Sequence, residues 1–330
     1  MAQFPHYRPS LSLRLAEEVG DDLGLLAGGL ALIYIGVIAA VASGTGAFYI
    51  LFPELGALSY DALTRPRGQW ASAPLLLAIT PALAGVIGTV VTRSLPYGFI
   101  SVAITVSGAF AVLATLRSPI APAISAGLLP LVIGVESWWY PPGILFGSTL
   151  LALTSILWQR YALAITATAT PPPREEVEFE RGRRQTRRWI GEVLAFVLIA
   201  VVFVKLTGWR FILFPPLVVI VYEMLREPAG CTWASAPVRL PLVCFLSAAG
   251  GLMFHDAIAY PPLAAILSML CGIVMLRIFR LHVPPALAVA LLPMVMNRPT
   301  LAYPVAVGIG AALAAMWASL TVPAGEVRNA

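Results

Sequence analysis

Residues 23–42 read LGLLAGGLALIYIGVIAAVA, twenty residues without a charge, and similar runs recur at 74–91, 190–204 and 304–320. A helix needs about 20 apolar residues to cross a hydrocarbon core of about 30 Å. Within lipid the backbone must satisfy its own hydrogen bonds, so only helices and closed barrels cross. A barrel would read as short alternating strands, whereas these runs are continuous. The expected fold class is therefore an all-α polytopic membrane protein. Composition agrees: 59% of the 330 residues are hydrophobic and 11% charged, against about 25% charged in a soluble protein.

Glu17, Glu18, Asp21 and Asp22 precede the first run. A signal peptide has a positive segment there, so this run is expected to remain as a span. Cys231, Cys244 and Cys271 form no CxxC pair, and His6, His255 and His282 are scattered, so neither set has metal-ligand spacing. The chain contains no Walker motif, no HExxH and no aspartate-rich diphosphate motif. The expectation is a non-enzyme without cofactor or metal. The stretch REEVEFERGRRQTRR, 174–188, follows three prolines and is densely charged, with six arginines and four glutamates in a chain of net charge +5. Because it mixes acids with bases between apolar runs, it reads as a cytoplasmic linker rather than a nucleic-acid patch.

The chain also aligns with itself at a shift of about 163 residues. Trp70-Ala71-Ser72-Ala73-Pro74 falls on Trp233-Ala234-Ser235-Ala236-Pro237, Tyr60-Asp61 on Tyr222-Glu223, Gly88 on Gly251, and Arg117 on Arg280. Tyr140-Pro141 falls on Tyr303-Pro304, and Gly147 on Gly310. These matches predict a tandem duplication: an N-terminal segment 1–22, a repeat 23–160, a basic linker 161–188, a repeat 189–321 and a tail 322–330. Each repeat has six apolar segments. In the first they lie near 23–42, 46–63, 74–92, 97–116, 120–135 and 139–158. In the second they lie near 190–206, 210–225, 238–254, 260–278, 283–297 and 301–321. With all twelve crossing and the N-terminus inside, most arginines fall on the cytoplasmic side, leaving Arg93, Lys205, Arg210 and Arg298 outside. The second and fifth segments of each repeat are short and carry Pro, which breaks the helical ladder, so they are expected to be broken or re-entrant. Even parity makes the repeats parallel, related by a rotation of roughly 180° about the membrane normal.

FPELGALSYDALTRPRGQWASAP, IAPAISAGLLPLV and VPPALAVALLPMV carry a resemblance to the HPP family of integral membrane proteins. Gly56-Ala57 and Pro66-Arg67 match its first element, and Pro122-Ala123 and Pro284-Pro285-Ala286 its second. The family's His position falls on Ile120 and Val283, one residue after His282 in the second copy. The resemblance implies transport of a small, nitrite-like anion.

A helix that starts at a break inside the membrane presents free amide donors to an anion. The substrate-path candidates are therefore Arg117, Ser118, Pro119, Pro122 and Ser125 in the first repeat and Arg280, His282, Pro284 and Pro285 in the second. Arg117 and Arg280 read equally as surface anchors. Tyr60, Asp61, Tyr222 and Glu223 are coupling or gating candidates, or the acids form surface ion pairs with Arg65 and Arg226. Trp70, Trp233 and Trp138-Trp139-Tyr140 read as an interfacial belt. The expected function is a secondary transporter or channel for a small anion. The alternatives are an exporter of small organic or aromatic acids and a non-transporting membrane scaffold. The expected partners are the lipid bilayer, the anion and a second copy in a homo-oligomer, with no nucleic acid. The expected location is a bacterial inner membrane, both termini cytoplasmic.

Overall fold

The structure, a computed structural model, describes residues 11–166, 182–226, 228, 231 and 233–321. The N-terminal segment before 11, most of the charged linker and the tail after 321 lie outside the described residues. Every regular element among the described residues is helical. Eight helices are long and apolar enough to cross a membrane: α1 (Leu11–Thr45), α3 (Pro74–Ser94), α4 (Phe99–Leu116), α6 (Tyr140–Thr166), α7 (Gly182–Thr207), α9 (Arg239–Ala257), α10 (Pro261–Phe279) and α12 (Ala302–Thr321). Four are short: α2 (Glu54–Thr64), α5 (Ala123–Ile133), α8 (Pro215–Arg226) and α11 (Pro285–Leu291). The order long, short, long, long, short, long occurs in 11–166 and again in 182–321.

Each short helix has proline at its start, as do the long helices α3 and α10. Pro53, Pro122, Pro215 and Pro284-Pro285 stand at the first positions of the short ones, where a missing N–H costs nothing and the fixed φ favours helix. Eleven helical residues rise about 16 Å, roughly half the hydrocarbon thickness. Yet these segments are not re-entrant hairpins, because their two ends lie at opposite ends of the bundle. Before α2, Tyr49 and Ile50 lie against Gly143 of α6. After α2, the Ala71 carbonyl accepts from Gln159 of the same helix. Those sixteen residues of α6 cover about 24 Å. Likewise Ser118, before α5, is bonded to Thr80 near the start of α3, and Glu136, after α5, to Arg93 near its end. Each short segment thus makes a broken traverse: an irregular stretch followed by a short helix.

The broken traverses form the core. Nearly all residues of α2, α5, α8 and α11 are buried. α2 packs on α11 and α5 on α8, while α1 packs on α10 and α4 on α7 outside them. Irregular backbone is therefore shielded from lipid by the long helices, as hydrocarbon requires.

Proline inside α5 creates a debt that is met by a tyrosine. Pro130 has no N–H to give the Ala126 carbonyl four residues earlier, and the Tyr140 hydroxyl donates to that oxygen at 2.8 Å. Pro293 likewise frees the Val289 carbonyl, which accepts from the Tyr303 hydroxyl at 2.6 Å. Both tyrosines are buried. Tyr140 is therefore not a belt residue, although Trp138 and Trp139 beside it are exposed. Tyr140→Phe and Tyr303→Phe each leave a buried carbonyl unpaired, a loss of about 1–3 kcal/mol. Chemical unfolding in detergent should show it, and an unchanged midpoint would contradict this role.

The bundle's two ends differ in charge. Arg65, Arg67, Arg117, Arg160, Arg226, Arg239, Arg277 and Arg280 lie toward one end, with Arg93, Lys205, Arg210 and Arg298 toward the other. Three of the latter four sit over aromatic rings: Arg93 over Trp138, Lys205 over Phe99 and Arg210 over Tyr97, at 4.7–5.7 Å from the ring centres. Such contacts hold a cation where net charge does not favour it.

Candidate functional site

Four chain breaks converge at the basic end. The last turns of α2 carry Tyr60 and Asp61, and the following loop brings Arg65, Arg67, Gln69 and Trp70. The stretch before α5 brings Pro119 and Ala121, and that before α11 brings His282 and Pro284. The last turn of α8 adds Tyr222, Glu223 and Arg226, followed by Cys231 and Trp233. Together, without Tyr60, they enclose a cavity of about 370 Å³. A second, more open cleft of about 560 Å³ adjoins it, lined by Tyr60, Thr64 and Arg277 and sharing Arg65 and His282.

Asp61 is the centre of a contact between residues 221 positions apart. Its Oδ1 lies 3.0 Å from His282 Nε2 and 3.5 Å from Arg65 Nη1. The Tyr60 ring stacks on His282, centroids 6.0 Å apart and planes 29° from parallel. On the other wall, Arg226 bonds the Tyr222 hydroxyl. With His282 neutral, three arginines and two carboxylates leave the cavity lining one positive charge. Trp70, Trp233 and Tyr222 add aromatic surface. This lining can hold an anion by charge and a flat carboxylate by stacking.

The remaining candidates divide. Ser118 is buried, hydrogen-bonded to Thr80 at 2.9 Å and accepting from the Ile120 amide, so it fixes the break before α5. Pro122 and Pro285 start α5 and α11 outside the lining. Ser125 is fully buried, away from the cavity, with its hydroxyl unbonded. Arg117 and Arg280 are exposed and do not line the cavity. Both sit in the left-handed region, φ 49° and 51°, just past α4 and α10. Ser118 N–H bonds Leu113 O and Leu281 N–H bonds Leu276 O, closing each helix in the turn that glycine usually makes. Arg117→Gly and Arg280→Gly should each stabilise the protein by about 1 kcal/mol by removing that backbone strain. A lowered thermal midpoint in detergent would show that the arginine side chains contribute more than the turn costs.

Two expectations for tryptophan are overturned. Trp70 and Trp233 are buried and line the cavity, not a lipid belt.

One polar residue was missed by sequence reasoning. Glu54, in the first turn of α2, is 1% exposed, and neither carboxyl oxygen has a hydrogen-bond partner. Ser125 Oγ interacts with it without reaching hydrogen-bond geometry. The signal was present: FPEL at 52–55 stands against FPPL at 214–217 in the self-alignment, an acid in an otherwise apolar element. Compared with protein-family models, with curated proteins and with solved structures, the chain finds no match in any of the three.

Proposed function

We propose that the chain is a membrane transporter or channel for a small anion, built from two homologous parallel repeats of HPP-like character. The cavity between the repeats carries this reading: basic, aromatic-lined, and bounded by the chain breaks of both. Its volume falls in the range of about 300–1,000 Å³ usual for small-molecule sites.

Several paired details support the duplication. Gly46 and Gly208 turn the chain after α1 and α7 at φ 72° and 76°. Tyr49 meets Tyr140 edge to face, as Phe211 meets Tyr303. The Tyr–carbonyl bonds, the left-handed arginines and the Gly88 and Gly251 contacts fall at the same shift. The alternation of traverses implies same-side ends for both repeats, hence an axis along the membrane normal. The basic end would face the cytoplasm of a bacterial inner membrane, with both termini there.

Trp70, Trp233 and Tyr222 favour a second reading within the same site, a small aromatic carboxylate instead of nitrite. Purified protein in liposomes should take up labelled nitrite, formate or benzoate well above empty vesicles, and the preferred anion distinguishes the two readings. Uptake no greater than in empty vesicles for all three would leave the scaffold alternative.

A further inference from the structure

We propose that Glu54 is a proton-binding site, neutral in this state, whose protonation and release couple the proposed anion movement to a pH gradient. The carboxyl lies within the buried core formed by the broken traverses, away from both cavities. An ionised carboxylate held there needs donors or a cation; the N-terminal end of α2 and the carboxyl's own backbone amide favour charge, but the packed elements set no basic side chain against it among the described residues. α2 packs against α1, α6 and α11. From α1, Tyr34 donates its proton to Gly147 O. From α6, Tyr140 is within electrostatic range of Glu54, but its proton is committed to Ala126 O. α11 has no titratable side chain. Tyr303 of α12, also in range and itself near Cys244, is committed to Val289 O. Asp61, with His282 and Arg65, stands seven residues further along α2, about 10 Å away. Neither α5 nor the first two turns of α2 contain a basic residue.

What remains is Ser125, whose hydroxyl is likewise buried and unbonded. A carboxylic acid and a hydroxyl can satisfy one another by a small rotation, the acid O–H donating to Ser125 Oγ. The chemistry is a simple balance: the carboxylate takes one proton from the side where protons are abundant and returns it to the other, with no electron transfer. The second copy has Pro216 in this place, so the duplication does not repeat this proton site.

The protonation does not depend on the transport reading; the coupling rests on it. Infrared spectra of the reconstituted protein at pH 7 should show the carbonyl stretch of a protonated carboxylic acid. Glu54→Gln should remove it, Ser125→Ala should shift it, and Asp61→Asn should leave it. Absence of the band, or its persistence in Glu54→Gln, overturns the proposal; should that variant fail to fold, an unshifted band in Ser125→Ala does so. In liposomes, an inward proton gradient should accelerate uptake of the preferred anion by wild type, and Glu54→Gln should lose that acceleration. Equal acceleration in both overturns the coupling role. If wild type moves none of the anions, the transport reading fails while the infrared spectra still decide the proton site.

Discussion

Gly88→Ala and Gly251→Ala are expected to destabilise the protein by at least about 3 kcal/mol each, near or above the usual cost of overpacking. A Cβ at Gly88 would lie 1.9 Å from the Gly127 carbonyl oxygen, and one at Gly251 2.1 Å from that of Ala290. The obstacle is backbone in both cases, so no side-chain rotation relieves it. α3 and α5, or α9 and α11, would have to part, and small residues are what allow helices to approach this closely in a membrane. Parting them also disturbs the Tyr140 and Tyr303 hydrogen bonds to the same short helices. The expected observation is loss of a monodisperse peak on gel filtration in detergent. Gly29→Ala serves as the control. Nothing stands within 4 Å of its Cβ position, and alanine there gains helix propensity of about 1 kcal/mol. Wild-type behaviour of Gly88→Ala would mean that α3 and α5 are not in contact as described.

Arg67→Glu is expected to have the largest effect on transport. Arg67 is exposed and lines the cavity. The change takes the lining from one net positive charge to one net negative. At an effective dielectric constant of about 20, with charges about 8–10 Å apart, this amounts to several kcal/mol before screening. Solvent and salt reduce it, leaving an expected fall in anion flux of at least about tenfold at low ionic strength. The deficit should shrink as salt rises. Arg280→Glu, outside the lining, should lower flux far less, because distance and screening separate it from the site. Equal losses in the two variants would mean that bulk surface charge, and not the cavity, governs entry.

The sequence made the segments legible because hydrocarbon leaves so few options: apolar length marks the long helices, and shortness together with proline marks the broken ones. The positions of α2, α5, α8 and α11 follow from Pro53, Pro122, Pro215 and Pro284. The work done at longer range was not legible. Tyr140 beside Trp138 and Trp139 looks like a belt residue, and only the fold brings its hydroxyl to the carbonyl freed by Pro130. Trp70 and Trp233 resemble interfacial anchors, and only the fold shows both buried in the cavity lining. Asp61 and Glu223 drew notice as paired acids, but the His282 partner of Asp61 lies 221 residues away, in a stretch whose pairing no local pattern reveals. Glu54 is hidden for a different reason: it stands alone in a short proline-led stretch, and only the fold shows that its carboxyl is buried.

The central claim is that the anion passes through the cavity between the two repeats. Gln69 lines that cavity and is exposed. The test is anion flux in liposomes through a Gln69→Cys variant with Cys231, Cys244 and Cys271 replaced, before and after reaction with a bulky thiol reagent. The account predicts that modification stops most of the flux and that excess anion slows the modification. Complete modification of Gln69→Cys with flux unchanged would contradict it.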